Sequence, residues 1–205
     1  MDSLIELVRS ILDVKAIIAW GGIVAITGIV FVETGLFIGF FLPGDSLLVT
    51  AGILAAAGVL DIRWLILSAS IAAIVGDQTG YLIGRRAGRA LSQRYEKFRV
   101  HLDRAHAFYE KYGAKTIVLA RFVPIVRTFV PAVAGAARMD YQRFVTYNIV
   151  GGLLWVLSTC LLGYGLGRAI PSIDRYLHVV IAVVVFLSLL PSIIEWRKHK
   201  KSSAH

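Results

Sequence analysis

The sequence predicts an all-α integral membrane protein: about four transmembrane helices plus two oppositely oriented re-entrant helical hairpins, arranged as an inverted repeat. Three observations carry this. Of 205 residues, 57% are apolar and only 17% charged, against roughly 45–50% and 25% in soluble domains. The 22 basic residues gather largely in two blocks between apolar runs, which reads as membrane topology rather than as a nucleic-acid footprint. Two apolar stretches are broken in matching places by charges and prolines.

Residues 1–15 place Leu4, Ile5, Val8, Ile11 and Leu12 on one helical face, with most charges elsewhere. This reads as an amphipathic helix on the membrane surface or as a first turn of the next helix. The segment lacks a basic n-region, which disfavours a cleaved signal peptide. Ala16 to Val32 is uncharged and long enough for about one crossing. Glu33 to Leu60 is apolar but holds Glu33, Pro43, Asp45 and five glycines. Trp64 to Gly84 reads as a span with one acid, Asp77. Arg85 to Lys115 reads as a polar loop with nine bases and three acids. Thr116 to Ala137 is apolar again, interrupted by Arg121, Pro124, Arg127 and Pro131. Phe144 to Gly167 is an uncharged span, Tyr176 to Ile194 a last one, and a basic tail over 196–205 follows.

If 33–60 and 116–137 each crossed fully, the basic loop and the basic tail would face opposite sides, which the positive-inside rule disfavours. If both dip in and return, four spans remain, at about 16–35, 63–84, 144–167 and 176–195. Both termini are then cytoplasmic. Pro43, Gly44, Pro124 and Pro131 would break the hairpins, as re-entrant backbone requires. One membrane domain would cover 16–195. An offset of 83 supports the repeat: Ala51-Gly52 matches Ala134-Gly135, Gly80-Tyr81 matches Gly163-Tyr164, and Gly84-Arg85 matches Gly167-Arg168. The two repeats would run over about 33–88 and 116–171. Broken apolar segments in matching halves are a transporter signature.

Five ionisable residues lie in apolar segments: Glu33, Asp45, Asp77, Arg121 and Arg127. Each costs roughly 2.5–3.5 kcal/mol at a helix centre unless paired or hydrated. Arg121 and Arg127 suit a phosphate, because guanidinium binds its oxygens in pairs. Glu33 and Asp45 suit proton or ion coupling. A structural ion-pair cluster holding the hairpins is the plainer reading. Asp77 and Asn148 are candidates to extend the site; Asp77 is equally placed to pair with the nearby Arg85–Arg86. Trp155 reads as packing, and Tyr81 and Tyr164 fit an interfacial belt. His101, His106 and His178 read as surface or packing residues rather than metal ligands. Neither metal nor other cofactor is expected. The single Cys160 excludes an internal disulfide.

The runs FLPGDSLLVTAG, GDQTGYLIGRRAG, RFVPIVRTFVPAVAGAARM and FVTYNIVGGLLW, in this order, resemble the bacterial DedA family, whose domain is also called SNARE-associated or VTT. The resemblance spans about residues 15–195. It implies a multi-pass protein of the bacterial inner membrane with two re-entrant hairpins. It further implies lipid translocation, of undecaprenyl phosphate or a phospholipid, coupled to the proton or ion gradient. By the same resemblance the functional acids are Glu33 and Asp45, and the functional arginines Arg121 and Arg127. The expected partners are therefore a lipid, the membrane, and protons or sodium ions, with no nucleic acid; a homo-oligomer is compatible. The alternative is a proton or cation antiporter that affects lipids only indirectly. A lipid-phosphate hydrolase is disfavoured, since no histidine lies in either hairpin.

Overall fold

The structure, a computed structural model, describes residues 14–36, 44–94 and 115–170, with separate positions between 96 and 113. Residues 1–13, Pro43, His101, His106, His178, the expected last span and the tail lie outside the described residues. Six helices make up the main described segments: α1 (Val14–Gly35), α2 (Gly44–Ala56), α3 (Ile62–Arg94), α4 (Lys115–Ala120), α5 (Pro124–Ala136) and α6 (Tyr141–Ala169). Among the described residues there is no strand.

Two of them are long and apolar enough to cross a membrane, over Ile62–Gly88 and Tyr141–Ala169. Each starts on an aspartate. The Asp61 carboxylate accepts the backbone N–H of Arg63 at 2.8 Å, and the Asp140 carboxylate that of Arg143 at 2.9 Å. These bonds satisfy donors that a helix start leaves orphaned. α3 does not stop at Gly84, where the sequence reading began a polar loop. It runs on to Arg94, because RRAGRALSQR consists largely of good helix formers. Hydropathy marks where lipid ends, not where the helix ends.

α1 is interrupted at Gly22, whose backbone (φ 51°, ψ −137°) is outside the range open to other residues. α2 is buried along most of its length. α4 ends in a turn at Arg121–Val123 before α5 begins with Pro124 in its first turn, a position that suits a residue without an N–H. α5 ends in a Schellman-type closure: Arg138 donates its N–H to the Gly135 carbonyl at 3.1 Å and Met139 to the Ala134 carbonyl at 3.0 Å. Arg138 holds φ at 58° without being glycine. Arg138→Gly should therefore stabilise the protein by about 1 kcal/mol, read as a rise in unfolding temperature in detergent.

The chain divides into two compact units interleaved in sequence. Unit I takes Met1–Ile26, Leu42–Leu67 and the residues from Leu157 onward; unit II takes Thr27–Phe41 and Ser68–Val156. In unit I, α2 packs on the second half of α6. A Cβ on Gly163 would overlap the Val49 carbonyl, and one on Gly52 the Cys160 carbonyl. Close backbone approach of this kind is how helices associate without a hydrophobic drive between them.

In unit II, α5 packs on α3 by the same device: Gly84 lies against Ala132 and Gly135 against Tyr81. The last turn of α1 also lies on α3, with Gly35 and Thr34 against Gly76. Tyr81 is fully buried here. It stacks on Phe144 with centroids 4.4 Å apart and donates its hydroxyl to the Met139 carbonyl at 2.5 Å. This corrects the interfacial-belt reading of Tyr81: its hydroxyl finds an interior acceptor, so the ring need not reach water. The half-buried Tyr164, in unit I, carries Arg168 over its ring at 5.5 Å.

Candidate functional site

Unit II gathers most of the charged residues singled out above. Arg121, in the turn before α5, donates through Nη2 to the Asp77 carboxylate at 2.5 Å. Through Nη1 it donates to Asn148 Oδ1 at 3.1 Å, and Nη2 also lies 3.4 Å from the Ala73 carbonyl. Asn148 is fixed in turn, donating its amide to the Ile74 carbonyl at 3.0 Å. Its oxygen is thereby aimed at the arginine. On the first turn of α5, Arg127 pairs with Glu33 of α1.

The floor of this site is one face of α6. Asn148, Gly151, Gly152 and Trp155 fall at i, i+3, i+4 and i+7, a single helical stripe. The Arg121 side chain runs over the two glycines: a Cβ on Gly151 would stand 3.4 Å from its Cδ, and one on Gly152 3.4 Å from its Nη1. The Trp155 ring lies beneath both guanidiniums, 4.6 Å from Arg127 and 5.9 Å from Arg121. Both distances suit cation–π attraction. The helix thus supplies an amide acceptor, room for an arginine stem and an aromatic plate.

The members are withdrawn from solvent, Arg127 least completely, with 9% of its side chain exposed. Relative exposure is 2% for Glu33, 5% for Asp77, 4% for Arg121, 0% for Asn148 and 2% for Trp155. Burial of isolated charges would be prohibitive; two ion pairs with further hydrogen bonds make it tolerable. As described, the site is electrically neutral, with two guanidiniums matched to two carboxylates.

Four of the residues read from the sequence meet here: Glu33, Asp77, Arg121 and Arg127, with Asn148 joining them. Asp77 pairs with Arg121, not with the Arg85–Arg86 region. Asp45 belongs to the other unit: it lies half-buried in the first turn of α2, in unit I, where a carboxylate complements the helix dipole. Gly44 opens that helix. Pro124 opens α5, and Pro131 sits inside it. Packing is only part of the role of Trp155; its position seven residues after Asn148, on the same face, is the sequence signal that links it to the arginines.

Comparison with known proteins gives the family. The VTT domain matches residues 42–165. The chain is 48% identical to Protein DedA of Escherichia coli (strain K12) over 181 residues, covering 86% of this chain and 82% of that protein. It is 45% identical to an uncharacterized membrane protein of Mycobacterium leprae (strain TN), covering 85% and 80%. It is 35% identical to the inner membrane protein YqjA of Escherichia coli (strain K12), covering 79% and 74%. No solved structure matches the chain. By the extent of both matches, the chain belongs to the DedA family of VTT-domain membrane proteins.

Proposed function

We propose that the protein is a lipid translocase of the bacterial inner membrane that moves an anionic lipid, undecaprenyl phosphate or a phospholipid, with proton coupling. The observation that carries this reading is the neutral, largely buried set of two arginines and two acids on the α6 face. A purely structural cluster is a poor use of such residues, since apolar packing of the same volume is often as stable or more so.

The chemistry follows from charge balance. An anionic headgroup cannot enter a site whose guanidiniums are already neutralised unless a carboxylate gives up its charge. A proton on Glu33 turns its pair with Arg127 into a weaker neutral hydrogen bond. Arg127 can then offer paired N–H donors to phosphate oxygens. Return of that proton to the other side would restore the ion pair and expel the headgroup. Asp77 serves Arg121 in the same way. Asp45, in the first turn of α2, remains a candidate acid for proton or ion coupling by family resemblance. The acyl or prenyl tail stays in lipid. Four crossings with two re-entrant hairpins, both termini cytoplasmic, complete the arrangement; the break between α4 and α5 at Arg121–Val123 supports the second hairpin.

The test is reconstitution in liposomes with labelled polyprenyl phosphate and labelled phospholipids, with and without a pH gradient. Arg127→Ala should slow movement by roughly 10- to 100-fold, the worth of one charged hydrogen-bonded contact. Glu33→Gln should remove the response to the gradient. If no lipid moves and cation flux survives Arg127→Ala, the headgroup site is wrong and antiport is the better reading.

A further inference from the structure

The two units use the same glycine device in different registers. In unit I, Gly163 faces Val49 and Gly167 faces Ile53. At the repeat offset of 83, these contacts correspond to Gly80 facing Ala132 and Gly84 facing Ala136. Unit II does something else: Gly84 faces Ala132 and Gly88 faces Ala136. The reciprocal contact agrees. Gly52 lies against Cys160 and Tyr164, the counterparts of Asp77 and Tyr81, whereas Gly135 lies against Tyr81 and Arg85. Each of the three contacts is displaced by four residues, one helical turn, in the same direction.

Among the described helices, only α3 has a track for both registers. It carries glycine at 76, 80, 84 and 88 and continues to Arg94. α6 ends at Ala169, two residues past Gly167, so it offers α2 no further glycine turn among the described residues. On α3 the next glycine, Gly80, is loosely covered: a Cβ there would meet Pro131 Cβ at 3.5 Å and the Thr34 and Gly35 carbonyls at 3.7 and 3.8 Å, ordinary contacts. In the register of unit I that position would instead press on a carbonyl, as Gly163 does on Val49.

We infer that α5 docks on α3 in two registers one turn apart, and that the step between them releases both arginines. A one-turn step is about 5.4 Å and is a known form of switching between packed helices. Glu33 stays with α3, because the last turn of α1 is seated on Gly76. Arg127 travels with α5, so its pair with Glu33 opens. Arg121 moves from Asp77 toward the Ala73 carbonyl, which its Nη2 already approaches. The described register is the paired, closed one; the other presents two guanidiniums to an incoming anion. The role given to the arginines rests on the proposed translocase, whereas the two registers rest on packing alone.

Spin labels on two exposed sites, Val75 of α3 and Val133 of α5, read the step by pulsed electron–electron distance measurement in lipid nanodiscs. Cys160→Ser removes the native thiol. The unsubstituted glycine track should give two distances about 5 Å apart, with added polyprenyl phosphate moving weight to the shorter. Gly80→Ala fits the described register and blocks the other. It should leave the longer distance alone and slow lipid movement roughly tenfold or more. Gly88→Ala, whose Cβ would stand 2.6 Å from Ala136 in the described register, should favour the shorter. One distance shared by all three proteins, or undiminished lipid movement in a folded Gly80→Ala protein, overturns the inference. Two distances with no lipid movement in any of them uphold the registers and overturn the translocase instead.

Discussion

Arg121→Met is expected to destabilise the protein by about 3–5 kcal/mol, because it leaves the Asp77 carboxylate buried and uncompensated. It also strips Asn148 of its donor. Replacing both partners, Arg121→Met with Asp77→Leu, should recover most of that loss, since the cost lies in the unpaired charge and not in the missing bond. Lipid movement should be lost in both the single and the double variant. Stability and transport would then part company, which a cluster that only holds helices together does not allow. Thermal unfolding in detergent and the liposome assay, run on both variants, provide the comparison. Wild-type transport by the double variant would reduce Arg121 to a structural residue.

The second large effect is expected at Trp155. Its ring underlies both guanidiniums and fills a buried position. Trp155→Ala combines a cavity with the loss of that plate, at about 3–5 kcal/mol for the cavity alone. Trp155→Leu is the more informative change: it keeps apolar volume and removes the π face. It should fold, yet move lipid roughly tenfold more slowly, the scale of a cation–π contact of about 1–2 kcal/mol in a desolvated site. Trp155→Phe retains a face and should restore most of the rate. Equal rates for the Leu and Phe variants would show that Trp155 only packs.

Several parts of this arrangement were legible in the sequence, for identifiable reasons. Charges in apolar runs are expensive enough to stand out, so Glu33, Asp45, Asp77, Arg121 and Arg127 could be picked as a group, although that signal does not tell that Asp45 belongs to a different unit. Their partners could not. Asp77 and Arg121 are 44 residues apart, and nearby Arg85 and Arg86 were equally good candidates until the packing of α5 on α3 chose between them. The repeat was visible because Gly and Tyr recur at a fixed offset. The one-turn difference between its halves was not, since an offset aligns residues within a helix and says nothing of which turn a neighbour occupies. Tyr81 was misplaced for a similar reason: an aromatic beside a basic cluster looks interfacial, and only the Met139 carbonyl, 58 residues on, gives its hydroxyl an interior acceptor. The break in α1 at Gly22 had only a weak sign, the Gly21-Gly22 pair, which the uncharged apolar run around it outweighs.

The continuity of α3 has a mechanical consequence. A helix of 33 residues is about 50 Å long, while the hydrocarbon core is about 30 Å thick. The exposed Arg85 and Arg86 fix the level at which it leaves the lipid, and a full two turns of unbroken rod continue beyond them. The bilayer surface is then a fulcrum. Any change of tilt needed to fit a thicker or thinner membrane swings the outer arm of the lever through an amplified arc, carrying lipid-driven strain into the basic segment in the aqueous phase.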